Sequence, residues 1–332
     1  MKRLLAVCCA GHFLVDLGCA FLLFRAFPRY SDWAGLLILY NFCAFALQMP
    51  LGLLADSWKR NGSVASGGAF LVAAAYALTG APMLAAGIAG LGNAAFHVGA
   101  GLETLTVSNG RAGPLGLFVA PGAVGLFFGM QLGRGTVLPI WALPLLLTAA
   151  AAALLLFRTE RTVTRREEEL PKLKAAGPAL AALLAVVIIR SFVGMNLTFP
   201  WKGEGRWALL LTLAVAAGKA AGGYLADRFG LRRVAVISLL CAAGFLLTSG
   251  YPALGTAAIF LFNMTMPLTL WASARLLPEM GGFAFGLLTF GLFLGFLPSA
   301  FGAAALTGAV AAILSLVSLV LLLPGLRKAV RL

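Results

Sequence analysis

Several ionisable and amide side chains sit inside stretches that are otherwise apolar. His12 and Asp16 are one helical turn apart, so a helix puts them on one face. Asn93 and His97 repeat that spacing, with Glu103 further along the same stretch. Arg190 and Asn196 share a later stretch, and Lys219 and Asn263 follow in two others. A carboxylate beside a histidine can take up and release a proton near neutral pH. Two cations in the other half of the chain can anchor an anionic group, Arg190 as a planar fork and Lys219 as a point charge. Each residue also has a structural alternative. Asn93, Asn196 and Asn263 can bond helices together, His12 can be a packing residue, and Glu103 can reach solvent from the end of its stretch. Lys219 can snorkel towards the nearer surface.

The elements that must position these groups follow from composition. Of 332 residues, 61% are hydrophobic and only 11% are charged. Soluble domains carry about 25% charged residues, so a soluble enzyme is excluded. Disorder is excluded as well, because disordered chains are poor in apolar residues. Forty glycines without strand-like alternation favour closely packed helices over a membrane barrel. Twelve stretches are long enough to span a bilayer. They are 4–27, 33–55, 63–80, 82–108, 113–132, 136–157, 178–200, 206–226, 232–250, 253–276, 281–300 and 302–323. The expected fold is therefore an all-α polytopic membrane protein of twelve helices in two six-helix bundles, 1–157 and 178–332. The polar segment 158–177 joins them as a linker. The basic start Met1-Lys2-Arg3 runs into a stretch too long and too polar for a signal peptide, and reads as an uncleaved first span.

A charged group near the bilayer centre costs at least about 2.5–3.5 kcal/mol, so it faces a cavity or a partner. Asp16 and Arg190 lie deep enough for that argument to apply. The net charge of +14 has a membrane explanation. With both termini on one side, most of the 25 basic residues fall on that side, which is then cytoplasmic. There is no basic patch interleaved with aromatics, so nucleic acid is not an expected partner. Cys8, Cys9, Cys19, Cys43 and Cys241 lie in apolar stretches and form no CxxC pair, so neither disulfides nor a zinc site are expected. No cofactor and no metal are expected. HExxH, Gly-x-Ser-x-Gly and Walker motifs are absent, which argues against a membrane enzyme and against ATP-driven pumping.

The two halves share a motif. Gly52-Leu53-Leu54-Ala55-Asp56-Ser57-Trp58-Lys59-Arg60 closes the second stretch. Gly223-Tyr224-Leu225-Ala226-Asp227-Arg228-Phe229-Gly230-Leu231-Arg232-Arg233 closes the eighth, half a chain later. Asn93 and Asn263 are spaced in the same way. Such offsets are what parallel six-span repeats leave behind.

These residues resemble the Gly-x-x-x-Asp-Arg/Lys-x-Gly-Arg-Arg/Lys motif of the major facilitator superfamily. The second copy departs from it only at Leu231. The first has Ser57 in place of a basic residue and Lys59 in place of the turn glycine. The resemblance extends to the span count and the central loop. It implies alternating access, a cavity lined by spans one, four, seven and ten, and a cytoplasmic gate containing Asp56, Asp227, Arg228 and Arg232. Each Asp would cap a helix N-terminus or pair with an arginine, which stabilises the outward-open state. Gly116-x-x-x-Ala120-Pro121-x-x-Val124-Gly125 resembles an antiporter motif and makes Pro121 a gating residue. His12-Phe13-x-x-Asp16 and Phe96-His97 are loosely similar to fosmidomycin-resistance-type exporters.

The expected function is thus a proton-coupled secondary transporter, exporting a small organic anion or zwitterion. The alternatives are proton-coupled uptake of a polar nutrient and a lipid or amphiphile flippase. Arg190, Lys219, Asn93, His97, Asn196 and Asn263 are the expected substrate residues. Asp16, His12 and Glu103 are the expected proton carriers. The partners are a small-molecule substrate, protons and the lipid bilayer. The expected state is a monomer in a bacterial cytoplasmic membrane, with both termini inside.

Overall fold

The computed structural model describes residues 2–135, 138–158, 169–202 and 205–331, with the side chains of 169–174 and 205 outside the description. Among the described residues the regular structure is helical, apart from one isolated bridge between Leu197 and Leu306. In chain order the segments are α1 Lys2–Ala26, α2 Trp33–Trp58, α3 Asn61–Leu78, α4 Pro82–Ser108, α5 Gly113–Arg134 and α6 Ala142–Phe157. They continue with α7 Glu169–Asn196, α8 Gly205–Phe229, α9 Leu231–Leu247, α10 Pro252–Leu276, α11 Gly281–Ala300 and α12 Gly308–Val330.

Ten of these are long and apolar enough to cross a membrane. The other two are α6 with 16 residues and α9 with 17. At about 1.5 Å per residue both fall short of a hydrocarbon core of about 30 Å. The chain is therefore an integral membrane protein built almost wholly of helices.

Three boundaries differ from the hydropathy reading, the first being α6, which begins at Ala142 and not at 136. Helix α7 begins at Glu169 and runs through Pro178, so the second half of the expected linker 158–177 is helical. Residues 159–168 of that linker lie outside the described residues. Helix α12 begins at Gly308, not at 302. Gly302 takes φ +82, a left-handed turn that ends α11, and the backbone N–H of Leu306 then donates to Asn196 O at 2.8 Å. The Thr307 side chain caps the new start by accepting from Val310 N–H. At the other end α12 passes Pro324 and reaches Val330, with Arg327 and Lys328 in its last turn, where cations favour the helix dipole.

Small residues set the closest approaches. Gly125, Gly129 and Gly133 on α5 lie against the carbonyls of Phe13, Leu17 and Phe21 on α1, so a side chain there would force the helices apart. The two halves of the chain meet along two seams, α2 on α11 and α5 on α8. Gly52 abuts Gly282 O and Gly286 abuts Gln48 O in the first seam. In the second, Gly116 lies against Lys219 O and Gly223 against Ala112 O. The half-chain repeat turns α2 into α8 and α5 into α11, so it exchanges the two seams. Two helices are irregular: α2 has a π-helical turn at Phe42–Ala46, and α10 is interrupted at Met264 between Asn263 and Thr265. Such interruptions often mark functional positions.

Candidate functional site

The chain has only two histidines, and the structure brings them together although 85 residues separate them. Helix α1 presents His12 and Asp16 on one face, and α4 presents Asn93 and His97 opposite. His12 Nε2 lies 2.9 Å from His97 Nε2 and 3.2 Å from Asp16 Oδ2. His97 Nε2 lies 3.7 Å from Asp16 Oδ1. Asn93 Nδ2 donates to Asp16 Oδ1 at 3.1 Å.

The outer ring nitrogens fix the protonation pattern. His12 Nδ1 lies 2.7 Å from Phe118 O, and His97 Nδ1 lies 2.9 Å from Asn93 O. Carbonyl oxygens only accept, so both Nδ1 atoms carry hydrogen, a tautomer assigned from its partners. Neutral rings would then aim two Nε2 lone pairs at each other and at a carboxylate. The arrangement is satisfied only by a cation between them. One Nε2 of His12, one of His97 and one oxygen of Asp16 lie within 4.8 Å of one another, so these three residues could also hold a metal ion. The sequence reading expected no metal site, because the two histidines lie on different helices and share no ligand spacing.

Helix α5 closes the cluster from behind. Pro121 has no N–H for Leu117 O, and Cys9 Sγ donates to that carbonyl instead at 3.4 Å. The next carbonyl, Phe118 O, receives His12. Gly122 follows, and a Cβ there would run into His12 Nε2 and Asp16 Oδ2. Phe118 and Gly122 were not legible as site residues. A backbone acceptor has no sequence signature, and the only signal for Gly122 was its place after Pro121. On the outer side of α1 and α5, Cys9, Phe13, Pro121 and Val124 line an apolar groove.

The cationic half comes from α7 and α8. Arg190 is 8% exposed, and its one hydrogen bond among the described residues is a long one, Nη1 to Thr269 Oγ1 at 3.4 Å. Lys219 is half-buried and makes no hydrogen bond or ion pair among the described residues. Its charge lies within electrostatic range of Arg190, Asp16 and His97, so the two halves face each other across the site.

Of the remaining amides, Asn196 bonds across helices and Asn263 bonds back to its own. Asn196 Nδ2 donates to Phe192 O at 2.9 Å and to Ser299 Oγ at 2.6 Å, tying α7 to α11. Asn263 Nδ2 donates to Ile259 O at 2.9 Å, at the break in α10. Glu103 is fully buried and packs at Gly62, the start of α3, nearly two turns along α4 from His97.

The two motif aspartates make matching contacts. Asp56 accepts from the backbone N–H groups of Gly282 and Phe283 at 2.7 and 2.9 Å, capping α11. Asp227 accepts from those of Ala112 and Gly113 at 2.7 and 2.8 Å, capping α5. Each carboxylate satisfies free N–H groups at a helix start and sits at the positive end of its dipole. The helix cap, one of the two modes expected, is present at both aspartates. Lys59 takes φ +55 in the left-handed helical region, at the position where the second copy has Gly230 at φ +91 and an extended ψ, so both turns need a positive φ. The cost for a non-glycine is roughly 1–2 kcal/mol. Trp271 Nε1 adds a bond to Gly110 O at 2.6 Å on the same face. Arg228 lies over the ring of Phe229, and Arg232 makes no hydrogen bond or ion pair among the described residues.

No family model matches the sequence, and no curated protein matches it. Solved structures do match in fold. The E. coli fucose:proton symporter has a TM-score of 0.66 at 15% identity, covering 97% of this chain and 98% of that one. The same transporter in its outward conformation has a TM-score of 0.69 at 16% identity, covering 98% of each chain. The human organic anion transporter TETRAN has a TM-score of 0.65 at 14% identity, covering 97% of this chain and 99% of that one. With helices matched over almost the whole length, and two seams exchanged by the half-chain repeat, the chain has the fold of the major facilitator superfamily transporters.

Proposed function

We propose that the protein is a proton-coupled secondary transporter of a small organic anion or zwitterion, working by alternating access. The observation that carries this reading is the pairing of a cation-demanding cluster, His12–Asp16–His97, with two cations from the other half of the chain, the buried Arg190 and the half-buried Lys219. The first holds the proton and the second holds the substrate's negative group. Asn93 positions Asp16, and Asn196, Asn263 and Glu103 support the helices around the site. A bound proton lowers the negative charge of the cluster and frees the cations to take an anion. By linkage, a bound anion strengthens proton binding to the same degree.

Twelve spans in two bundles, 1–157 and 178–332, are the organisation that fits the repeat. Asp56 and Asp227 latch the basic face. Under the positive-inside rule that face and both termini are cytoplasmic, in keeping with a bacterial cytoplasmic membrane. The conformation is then closed to the cytoplasm, and the protein works as a monomer. The Pro121 motif favours export. Uptake by symport is the second reading, supported by the electrostatic contact between Lys219 and Asp16, since proton and anion then bind together. One solved relative in fold, the fucose:proton symporter, is named as a symporter, and another, TETRAN, as an organic anion transporter.

The ligand class is tested by thermal unfolding of the purified protein against a panel of organic anions, zwitterions, cations and neutral amphiphiles. A ligand at about 100 times its Kd stabilises the native state by about 2.7 kcal/mol. Anions or zwitterions should raise Tm and cations should not. Stabilisation by neutral amphiphiles alone would favour a flippase.

A further inference from the structure

We infer that His12, Asp16 and His97 form a binding site for a divalent transition metal of the zinc class. Two imidazole nitrogens and one carboxylate oxygen converge from two helices, and they come from the chain's two histidines and the one carboxylate of α1. The two imidazole nitrogens are 2.9 Å apart, His12 Nε2 is 3.2 Å from Asp16 Oδ2 and His97 Nε2 is 3.7 Å from Asp16 Oδ1, and one ligand atom from each residue fits within 4.8 Å of the others, near the edge of about 3.3 Å of a tetrahedral ion with bonds near 2.0 Å. The outer shell is in place as well. Both Nδ1–H groups donate to backbone carbonyls, which turns both Nε2 lone pairs inward, and Asn93 fixes Asp16. The side chains of Asp16 and His97 keep 20% and 15% of their surface accessible, against 7% for His12, so an ion can reach the site from one side. Gly122 leaves the room that any side chain would fill.

Three protein ligands leave a fourth position for water or an anion. Lys219, within electrostatic range, disfavours a bare dication and favours an anion in that position. The metal displaces the proton from the same lone pairs, so the two compete. This inference rests on ligand geometry and goes beyond the transport reading. Its test measures binding alone and stands whether or not a transported anion is found.

The experiment is a titration of the purified full-length protein, with any affinity histidines removed, by Co²⁺ as a spectroscopic probe. One Co²⁺ per chain should bind with the intense visible bands of a tetrahedral ion, and Zn²⁺ should displace it. His97→Gln and His12→Gln should each weaken binding at least about 100-fold. Asn93→Ala, which removes an outer-shell partner, should weaken it roughly 10–100-fold. Wild-type protein that develops no tetrahedral bands overturns the site, whatever the variants do. Bands that survive both histidine substitutions overturn it equally.

Discussion

Arg190→Gln should abolish anion binding in the thermal-unfolding assay while leaving the protein folded. The guanidinium is 8% exposed and has one long hydrogen bond, to Thr269. A buried fork of five donors with so few acceptors is costly unless a ligand supplies them. Truncating one member of a buried, hydrogen-bonded charge pair costs about 2–5 kcal/mol. That is roughly a 30-fold loss of affinity at the low end and more than a thousandfold at the high end. Arg190→Lys should recover part of the binding, because charge returns without the planar fork. The unliganded variant should be no less stable than wild type, since an unsatisfied charge has been removed. An anion-induced rise in Tm that Arg190→Gln leaves unchanged would move the anion to Lys219 or out of this site altogether.

The second large effect belongs to the two caps. Asp56→Ala and Asp227→Ala each remove a carboxylate that holds two backbone N–H groups across a seam. A hydrogen bond to a charged group contributes about 1.5–3 kcal/mol, and these bonds exist only when the seam is closed. Counting only one of the two bonds, one substitution should therefore shift the ratio of closed to open forms by at least about ten- to a hundredfold. The two caps lie on different seams and share no partner, so the double variant should show close to the sum of both. Distances between probes on the α2–α3 turn and the α10–α11 turn report the change. The closed distance should dominate in wild type and give way to a longer one in the double variant, with anion affinity changed much less than the distance distribution. An unchanged distribution would reduce the caps to local helix stabilisers. Asn in place of Asp keeps an acceptor and loses the charge, so it should fall between Asp and Ala.

Hydropathy and spacing made much of this visible. The apolar stretches place the helices to within a few residues, because burial in lipid leaves a continuous signal. They misplaced the starts of α6, α7 and α12; at α12, Gly302 and Thr307 decide the start and an apolar count registers neither. The His12–Asp16 pair was legible because residues four apart share a helix face. His97 was read as a substrate residue, yet its ring meets His12. Contacts between helices far apart in sequence have no local period, so a single chain cannot report them. The motif aspartates were picked out by the half-chain repeat, whereas their partners Gly282, Phe283, Ala112 and Gly113 act through backbone N–H groups that any residue type carries. Asn196 and Asn263 were assigned to the pocket through the spans that line the superfamily's cavity, and a span's position does not distinguish an amide facing the cavity from one bonded to a helix.

Protons and the anion are expected to move through one site. The direct measurement is accumulation of the anion identified in the binding panel, in proteoliposomes with an imposed pH difference. The account predicts accumulation beyond equilibrium that vanishes when a protonophore dissipates the gradient, and that is absent in Arg190→Gln. Movement with the protons would mark symport, and movement against them exchange. Equal flux with and without the gradient would contradict proton coupling and leave facilitated diffusion or flipping.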